Sequence, residues 1–408
     1  MDRQAYDVIV VGGGAAGMSA ALSAARRGYK VCILDKNKKM GKKLYATGNG
    51  HCNLANAKIG TNYYHTSYEK GSAWLEQALT KEPNTGLFSF LHSIGIKEIE
   101  DNGYFYPQSM QASSVVWAFL DALKKEQVDL YTAVEVNDIK QTADGFEIYS
   151  NQSTYYASNV ILACGGRSYH NLGGGSIGYK LATSLSLKTQ AIRPALCGCL
   201  TREDTEMIQG VRVACCASIV DDASKKTRIQ RGELQITDYG LSGIMIFNLS
   251  HEIGRLLETK DSVCVSLNLL EYMEKSLFLD VYHQSKHRTI LAFLNSFLPD
   301  KLAAYVLNSI GFEAKKSTGE YTESEIHFLF SRCQNFTFHI HGLQDFERAQ
   351  VTAGGVELSQ IEPESMKCKE IEGLYVVGEL LDIDGDCGGY NLTFAILSGI
   401  HAGEHITC

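Results

Sequence analysis

The chain has 408 residues, of which 45% are hydrophobic and 21% charged, as in an ordinary globular protein with a full hydrophobic core. Its 38 basic and 46 acidic residues give a net charge of −8, which argues against a broad nucleic-acid-binding surface. The 12 cysteines are scattered and form no CxxC motif, so we expect them to be mostly reduced and buried, and we predict no structural metal.

The uncharged segment from Val8 to Ala25 could be mistaken for a membrane span or for the core of a signal peptide. Gly12, Gly13 and Gly14 interrupt this segment after a run of β-branched residues, and no basic region precedes it. We therefore predict a cytoplasmic protein that has no membrane partner.

The first elements follow a strand, helix, strand pattern. Val8 to Val11 is a β-branched run that ends at glycines, which is typical of a strand buried on both faces of a parallel sheet. Ala15 to Arg27 is rich in alanine and predicts a helix, and Gly28 follows where a helix C-cap is expected. Lys30 to Leu34 predicts a second strand, which ends at Asp35.

A glycine fingerprint lies between this first strand and the helix. Gly12 permits a tight turn, Gly14 allows backbone to approach a pyrophosphate, and Gly17 allows close packing of the helix. The helix N-terminus supplies amide donors, and Asp35 is placed to accept hydrogen bonds from an adenosine ribose. The pattern predicts a dinucleotide site, but it does not choose between FAD and NAD, because both carry an ADP half.

Two further segments are rich in glycine. "GKKLYATGNGHCN", residues 41 to 53, adds lysines and closely spaced glycines just after the second strand, where a longer dinucleotide would continue. Residues 173 to 178 also fit GxGxxG, but the residues before them are polar rather than strand-like. We interpret this second match as a loop and not as a second nucleotide fold.

The middle of the chain predicts an insert between two parts of the nucleotide domain. Val134 to Ile139, Phe146 to Tyr149 and Val160 to Cys164 are predicted strands. Alternating patterns then indicate a β-rich part at 191–270, followed by a helical part at about 271–330 whose clearest stretch is Ser276 to Ile310. We place the nucleotide domain at 1–190 and 346–408, with the insert at 191–345.

The C-terminal segment returns to the glycine pattern. Leu374 to Val377 predicts a strand that ends at Gly378-Glu379, and a helix is predicted from about Asn391 to Ala402. Asp382, Asp384 and Asp386 have the spacing of the first calcium ligands. A calcium loop, however, needs glycine and glutamate where the chain has Cys387 and Thr393, so calcium is disfavoured.

Four blocks of sequence resemble the BaiN/YhiN-like family, a group of two-dinucleotide-fold flavoproteins that includes NAD(P)/FAD-dependent oxidoreductases and aminoacetone-oxidase-like enzymes. One departure is His51, which stands where the family usually has arginine. The blocks are "DVIVVGGGAAGMSAALSAARRG", "GKKLYATGNGHCNLAN", "GELQITDYGLSGIMIFNLS" and "VTAGGVELSQIEPESMKCKEIEGLYVVGELLDIDGDCGGYNLTFAILSG".

The resemblance implies an α/β fold, in which a Rossmann-like FAD-binding domain is interrupted by a β-rich, barrel-like and helical insert that covers the flavin. It also implies that the C-terminal helix points its N-terminus at the flavin, and that Glu379 or Asp386 meets the ribityl chain or the phosphates. With the fingerprint residues, the predicted FAD-binding set is Gly12, Gly14, Ala15, Ala16, Gly17, Asp35, Lys36, Gly41, Lys42, Thr47, Gly48, Gly50, Asn53, Val134, Ala163, Gly165, Gly378, Glu379, Asp386, Gly388, Gly389, Asn391 and Leu392.

The reaction is predicted by resemblance and exclusion. Cys52 stands alone beside the first flavin segment, which disfavours a dithiol reductase, and the chain shows no second Rossmann unit for a permanently bound nicotinamide. We predict a FAD-dependent reductase or dehydrogenase of an unsaturated, steroid-like carbonyl compound, with NADH or NADPH as a transient donor. A flavin amine oxidase and a non-catalytic or tRNA-associated FAD-binding protein are the alternatives.

The expected partner is a small-molecule substrate rather than a nucleic acid, and the oligomeric state stays open. A proton donor is needed beside the flavin. Candidates by location alone are Tyr106, Tyr239, Tyr390, His51 and His170.

Overall fold

The computed structural model describes residues 4–79, 81–221 and 225–407. These residues form two compact units. The first comprises the described residues up to Arg193 together with those from Gln350 onward, and the second is Pro194–Ala349.

The strands have the following bounds in chain order. They are β1 Gln4–Val11, β2 Val31–Asp35, β3 Ala55–Asn56, β4 Tyr64–His65, β5 Glu98–Asp101, β6 Tyr104–Pro107, β7 Asp129–Thr132, β8 Val136–Thr142, β9 Gly145–Ser150, β10 Thr154–Leu162, β11 Arg193–Ala195, β12 Cys199–Thr201, β13 Arg212–Val220, β14 Lys226–Thr237, β15 Gly240–Ser242, β16 Val263–Asn268, β17 Phe336–Leu343, β18 Val351–Ala353, β19 Leu374–Val376 and β20 Asp384–Gly385.

The α-helices connect these strands. They are α1 Ala15–Ala25, α2 Gly71–Leu79, α3 Pro83–Ser93, α4 Ala112–Lys125, α5 Ile177–Ser184, α6 Ile244–Leu257, α7 Lys275–Gln284, α8 Ile290–Leu294, α9 Asp300–Ser309, α10 Glu323–Gln334 and α11 Tyr390–Glu404. In the described part of the chain, none of them combines the length and the apolar character needed to cross a membrane.

The central sheet of the first unit follows from its buried, β-branched strands. Within the described residues it has seven strands in the order β7-β2-β1-β10-β9-β8, with β19 also paired to β10. Strands β7, β2, β1, β10 and β19 are parallel, whereas β9 and β8 are antiparallel. Every residue of β2 is buried, as expected for a strand that is covered on both faces. The predicted Rossmann-like fold is confirmed.

Strand β10 joins the two distant parts of the chain. Its first half, Thr154–Ala157, pairs with β9, and its second half, Val160–Leu162, pairs with β19 near the C-terminus. Because β1, β2, β10 and β19 run in parallel, their carboxyl ends lie at one edge of the sheet, where α/β proteins bind ligands.

Helices α1 and α11 pack closely because small residues face each other. A Cβ atom placed on Gly399 would lie 2.2 Å from the carbonyl oxygen of Ala16, and one on Gly403 would lie 2.4 Å from that of Ala20. Any side chain at these two positions of α11 would therefore push the helices apart. The packing brings the last helix of the chain against the first.

The second unit contains a closed barrel of described strands, in the order β12-β15-β14-β13-β16-β17. Strand β17 shows the alternation that closure requires: Phe336, Phe338 and Ile340 are buried, while His339 and His341 are exposed. The predicted β-rich insert is present. Two features were not predicted. Helix α6 lies within the β-rich part at 191–270, and the strand that closes the barrel, β17, comes after the predicted helical part.

The helical part of this unit has an aromatic core. The ring centroids of Phe293, Phe297 and Phe330 lie 5.0, 4.8 and 5.0 Å from that of Phe278. The predicted stretch from Ser276 to Ile310 is divided into α7, α8 and α9, because Thr289 caps α8 and Pro299 precedes α9.

Candidate functional site

The glycine turn at the start of α1 is built by close backbone contacts. Gly12 has φ 109°, and a Cβ atom on it would lie 2.4 Å from the carbonyl oxygen of Ala163 at the end of β10. A Cβ atom on Gly17 would lie 1.9 Å from the carbonyl oxygen of Gly12. Gly14 differs, since a Cβ atom there would meet no protein atom within 4 Å. Packing therefore requires two of these glycines, and the third faces open space.

The N-termini of α1 and α11 are both suited to an anion or to a negatively polarised group. Gly14 is the N-cap of α1 and Gly389 that of α11; neither helix has a side-chain cap or an acidic residue in its first turn. The amides of these first turns thus face outward with the positive end of the helix dipole. Ala15 and Ala16 belong to the first turn of α1 and Leu392 to that of α11.

Asp35 is held rigidly at the end of β2. Its Oδ2 accepts a hydrogen bond from the Gly13 amide at 2.6 Å, and its Oδ1 accepts from the amide and the side-chain nitrogen of Asn37 at 2.6 and 2.9 Å. The Val134 amide donates to the Asp35 carbonyl at 2.9 Å. The carboxylate is thus fixed beside the glycine turn by the backbone on both sides of it.

The second glycine match packs against the same strand end. A Cβ atom on Gly173 would lie 2.6 Å from the side-chain nitrogen of Asn37, and one on Gly175 would lie 2.9 Å from Nζ of Lys36. Among the described residues a 3-10 helix, His170–Leu172, precedes these glycines instead of a strand. The segment is a loop, as predicted, and it lies against Lys36 and Asn37.

Residues 41–53 form an irregular segment after β2. The Gly41 amide donates to the Gly13 carbonyl at 2.8 Å, and the 3-10 helix Leu44–Gly50 that follows is interrupted at Thr47 and at Gly48, which has φ 54°. Gly50 has φ 90° and open space where a Cβ atom would stand. Backbone that no side chain covers therefore lies beside the glycine turn.

Asn53 closes this segment and leaves one polar atom unsatisfied. Its Oδ1 is buried and accepts no hydrogen bond from the described residues. Gly48 packs on Asn53, since a Cβ atom on Gly48 would lie 3.0 Å from the Asn53 amide. A buried acceptor without a donor is costly, so a hydrogen-bond donor on a ligand would stabilise this atom.

A salt bridge crosses from this segment to the C-terminal block. Lys43 Nζ donates to Oε2 of Glu379 at 2.7 Å, and Oε1 of Glu379 accepts from the Thr352 amide at 3.0 Å. Lys42, the lysine in the predicted set, is exposed. Sequence reasoning missed Lys43 and Thr352. The adjacent lysines of the GKK motif gave a signal for Lys43 without distinguishing it from Lys42, and Thr352 lies at the start of the fourth family block without a motif of its own.

The acids of the C-terminal block join that block to the chain around residue 65. Oδ1 of Asp386 lies 2.8 Å from Nε2 of His65, and the two side chains are nearly buried. Oδ2 of Asp382 accepts from the Ser67 amide at 2.9 Å, and β20 pairs with β4. Asn391 bridges the amide and the carbonyl of Gly385 at 2.8 Å each, so this predicted cofactor residue stabilises the turn before α11.

The glycines of this block allow close backbone contacts. A Cβ atom on Gly378 would lie 2.9 Å from the Cβ of Ala16, and one on Gly389 would lie 2.8 Å from the backbone of Ala55. Gly388 packs on Asn56, and Gly165, at the end of β10, faces open space. Backbone from both ends of the chain therefore surrounds the carboxyl edge of the sheet.

The family profile described as HI0933-like protein Rossmann domain matches residues 6–405. This chain belongs to the HI0933-like family. It is 33% identical over 408 residues to a 3-dehydro-bile acid delta(4,6)-reductase of Clostridium scindens, with 97% of each chain covered. It is 26% identical over 396 residues to a ribosomal RNA dihydrouridine synthase of Escherichia coli (strain K12), with 96% of this chain and 95% of that protein covered.

Solved structures give the same fold. The 3-ketosteroid delta1-dehydrogenase from Sterolibacterium denitrificans, in complex with 1,4-androstadiene-3,17-dione, matches with a TM-score of 0.52 and 13% identity, covering 98% of this chain and 99% of that one. At this identity the match shows the fold alone. The family profile and the enzyme relative confirm the resemblance to BaiN/YhiN-like flavoproteins, and the HI0933-like chain is a FAD-dependent oxidoreductase.

The first unit of this HI0933-like chain fits FAD on its own geometry. Gly14 leaves open space in front of an uncapped helix, as a pyrophosphate requires, and the unpaired Oδ1 of Asn53 matches a donor of the cofactor. Asp35 and the α11 N-terminus would hold the ribose and the ring end of FAD. In the described part of the chain, no group of three or more His, Cys, Asp or Glu side chains is placed to hold a metal ion.

Two of the proton-donor candidates of this HI0933-like enzyme are tyrosines of the first unit. Tyr390 is buried, stacks on Tyr63 with centroids 4.8 Å apart, and donates to the Lys58 carbonyl at 3.3 Å. Burial raises the pKa of Tyr390, and the neighbouring Tyr63 adds to the rise. Tyr106 lies half-buried in β6, and burial, followed by Tyr104, raises its pKa. Both hydroxyls are therefore protonated at neutral pH.

The other three candidates have different surroundings. His51 is exposed, and its Nδ1 lies 2.8 Å from the Met110 carbonyl oxygen. His170 is exposed at the start of its 3-10 helix. Tyr239 belongs to the second unit, where its ring packs on Gly198 between β14 and β15.

Cys52 of this HI0933-like chain is expected to be chemically inert. It is fully buried, and burial raises its pKa to about 11, although the hydroxyl of Thr47 opposes the rise. Because the thiolate is the reactive form, we expect alkylation of Cys52 by iodoacetamide at pH 8 to be about 100-fold slower in the folded protein than in urea. Peptide mass spectrometry measures both rates, and Cys264, which is partly exposed, serves as the internal control. Labelling of Cys52 before Cys264 would contradict this and restore a thiol-based reaction.

Proposed function

We propose that this chain is a FAD-dependent reductase of a carbon–carbon double bond conjugated with a carbonyl group, in a steroid-like compound. The observation that carries the proposal is the relative that shares 33% identity over 97% of this chain and is named a 3-dehydro-bile acid delta(4,6)-reductase. The confirmed FAD-dependent family and the flavin-compatible geometry of the first unit support it.

The reaction needs two transfers. Bound FAD supplies hydride transfer to the electrophilic carbon of the conjugated bond. The chain has to hold a protonated group at the neighbouring carbon, because the product gains one hydride and one proton. Tyr106 and Tyr390, whose pKa values burial raises, keep their protons at neutral pH. We propose NADH or NADPH as the transient donor, since the second GxGxxG match, residues 173–178, lies in a loop and forms no nucleotide fold of its own.

The same chemistry extends to a second candidate. Uracil also has a carbon–carbon double bond conjugated with a carbonyl, and the relative of 26% identity is named a ribosomal RNA dihydrouridine synthase. Reduction of uridine in ribosomal RNA is therefore the alternative substrate class. The net charge of −8 favours the small molecule over RNA.

The test begins with the purified protein and its flavin spectrum. We expect a yellow protein that NADH or NADPH bleaches without oxygen, and that a steroid with a conjugated 4,6-dien-3-one then reoxidises. The product should gain about 2 Da by mass spectrometry, from one hydride and one proton. A saturated 3-oxo steroid is the control, and it should leave the flavin reduced.

The alternatives give different results. If ribosomal RNA reoxidised the reduced flavin and the dienone did not, the substrate would be uridine in ribosomal RNA rather than a steroid. Oxygen consumption with aminoacetone, without bleaching by NADH or NADPH, would replace the reductase with the amine oxidase. A colourless protein that takes up no FAD would contradict the proposal as a whole.

A further inference from the structure

Lys43 has a structural position that Lys42 lacks. Both lysines come just after Gly41, which has φ 68° and is anchored to the glycine turn through the Gly13 carbonyl, but only Lys43 points to the C-terminal block. Its ammonium group lies 2.7 Å from Oε2 of Glu379, in an ion pair whose side chains are 31% and 18% exposed. Lys43 thus joins the segment after β2 to the end of β19.

Glu379 has its carboxylate fixed on the opposite side as well. Oε1 accepts a hydrogen bond from the Thr352 amide at 3.0 Å. Gly166 leaves room for that oxygen, since a Cβ atom on Gly166 would lie 2.5 Å from it. Three segments that are distant in the chain therefore contact the carboxylate of a fourth, whereas an exposed ion pair needs only its two partners.

Tyr179 places a second buried polar group beside the cluster. Its side chain is only 8% exposed, and its hydroxyl makes no hydrogen bond of ordinary geometry with the described residues. Burial raises the pKa of Tyr179 and the charge of Glu379 adds to the rise, whereas a hydrogen bond with the Thr352 side chain lowers it, so the hydroxyl lies close to Thr352 and Glu379. A polar group of a ligand would complete the hydrogen bonding of this buried hydroxyl.

The charge of the cofactor explains why the pair is needed. FAD carries two phosphate charges, and Gly378, next to Glu379, packs against Ala16 in the first turn of α1, which is suited to them. A carboxylate without a counter-charge in this place would repel the cofactor, and this repulsion is strong where water is partly excluded. An ammonium at 2.7 Å from the carboxylate cancels that repulsion and fixes the orientation of the carboxylate.

We propose that Lys43 is a positioning residue for FAD, which acts by neutralising and orienting Glu379. The inference rests on the proposed function, because it assumes that the first unit binds FAD. It assigns Lys43 a role that is independent of the identity of the substrate.

The experiment measures the dissociation constant of FAD with deflavinated protein, by the change in flavin fluorescence. We expect Lys43→Met to weaken FAD binding by about 10- to 100-fold, because it leaves a half-buried carboxylate without its counter-charge. Lys43→Arg keeps the charge and should restore binding to within about threefold of the wild type. Lys39→Met is the control: Lys39 is exposed in the same loop, and its loss should leave binding unchanged.

A double variant separates an effect through Glu379 from a direct one. If Lys43 acts through Glu379, then adding Lys43→Met to Glu379→Gln should weaken FAD binding by less than about twofold beyond Glu379→Gln alone. A full additional loss would overturn the inference, and so would a Lys43→Met protein that binds FAD as tightly as Lys39→Met. Failure of the wild-type protein itself to bind FAD would instead remove the proposed function.

Discussion

Replacing Gly17 with alanine is expected to prevent FAD binding and to lower the thermal stability of the deflavinated protein. The new Cβ atom would lie 1.9 Å from the carbonyl oxygen of Gly12, a backbone atom that cannot rotate away. Helix α1 would have to leave its place against β1 and β10, and overpacking of this kind costs about 1–3 kcal/mol or more. The helix N-terminus would move with it, so the amides would no longer face the pyrophosphate.

Gly14→Ala is the matched substitution three residues earlier. Its Cβ atom would meet no protein atom within 4 Å, and Gly14 has φ −81°, which alanine adopts freely. The deflavinated Gly14→Ala protein should therefore unfold within about 2 °C of the wild type, while its FAD affinity falls because the methyl group occupies the approach of the phosphates.

Thermal unfolding of both deflavinated variants, together with FAD titration, checks this pair. A Gly17→Ala protein that unfolds at the wild-type temperature would show that the turn tolerates a side chain. Wild-type FAD affinity in Gly14→Ala would show that the phosphates do not approach the α1 N-terminus.

The parts of the site that depend on local sequence were predictable. The β-branched run before Gly12 and the alanine-rich run after it specify a strand and a helix by composition and periodicity. The turn between the strand and the helix requires a backbone conformation that only glycine adopts freely, so a glycine is expected there. The same reasoning located β19 and α11, because β19 is a short apolar run that ends near a glycine and α11 is a helical pattern that begins after one.

Distant partners were not predictable from these patterns. Strand β17 alternates clearly, yet its neighbours β12 and β16 lie far away in the chain, and periodicity carries no information on pairing. Asp386 illustrates the same limit: its spacing is that of a calcium ligand and the resemblance implies a contact with the cofactor, but neither indicates its contact with His65, on a strand of two residues. Only the folded chain shows which lysine of the GKK motif reaches Glu379.

The packing of α11 on α1 leads to the second large effect. Alanine favours a helix over glycine by about 1 kcal/mol, so helix propensity alone predicts that Gly399→Ala stabilises the protein. The contact predicts the opposite sign, because the Cβ atom would lie 2.2 Å from the carbonyl oxygen of Ala16. Overpacking exceeds the gain in propensity, and we expect a net loss of about 1–3 kcal/mol in the free energy of unfolding.

Gly86→Ala in α3 is the control for propensity, since its Cβ atom would meet only a side-chain carbon of Leu397, at 4.0 Å. It should stabilise by up to about 1 kcal/mol in urea unfolding, the sign opposite to that of Gly399→Ala. Separation of α11 from α1 would also displace the two helix N-termini that face the cofactor, so Gly399→Ala should weaken FAD binding while Gly86→Ala leaves it unchanged. Equal stabilisation of both variants would contradict the close packing of α11 on α1. It would also show that the flavin site does not depend on that packing.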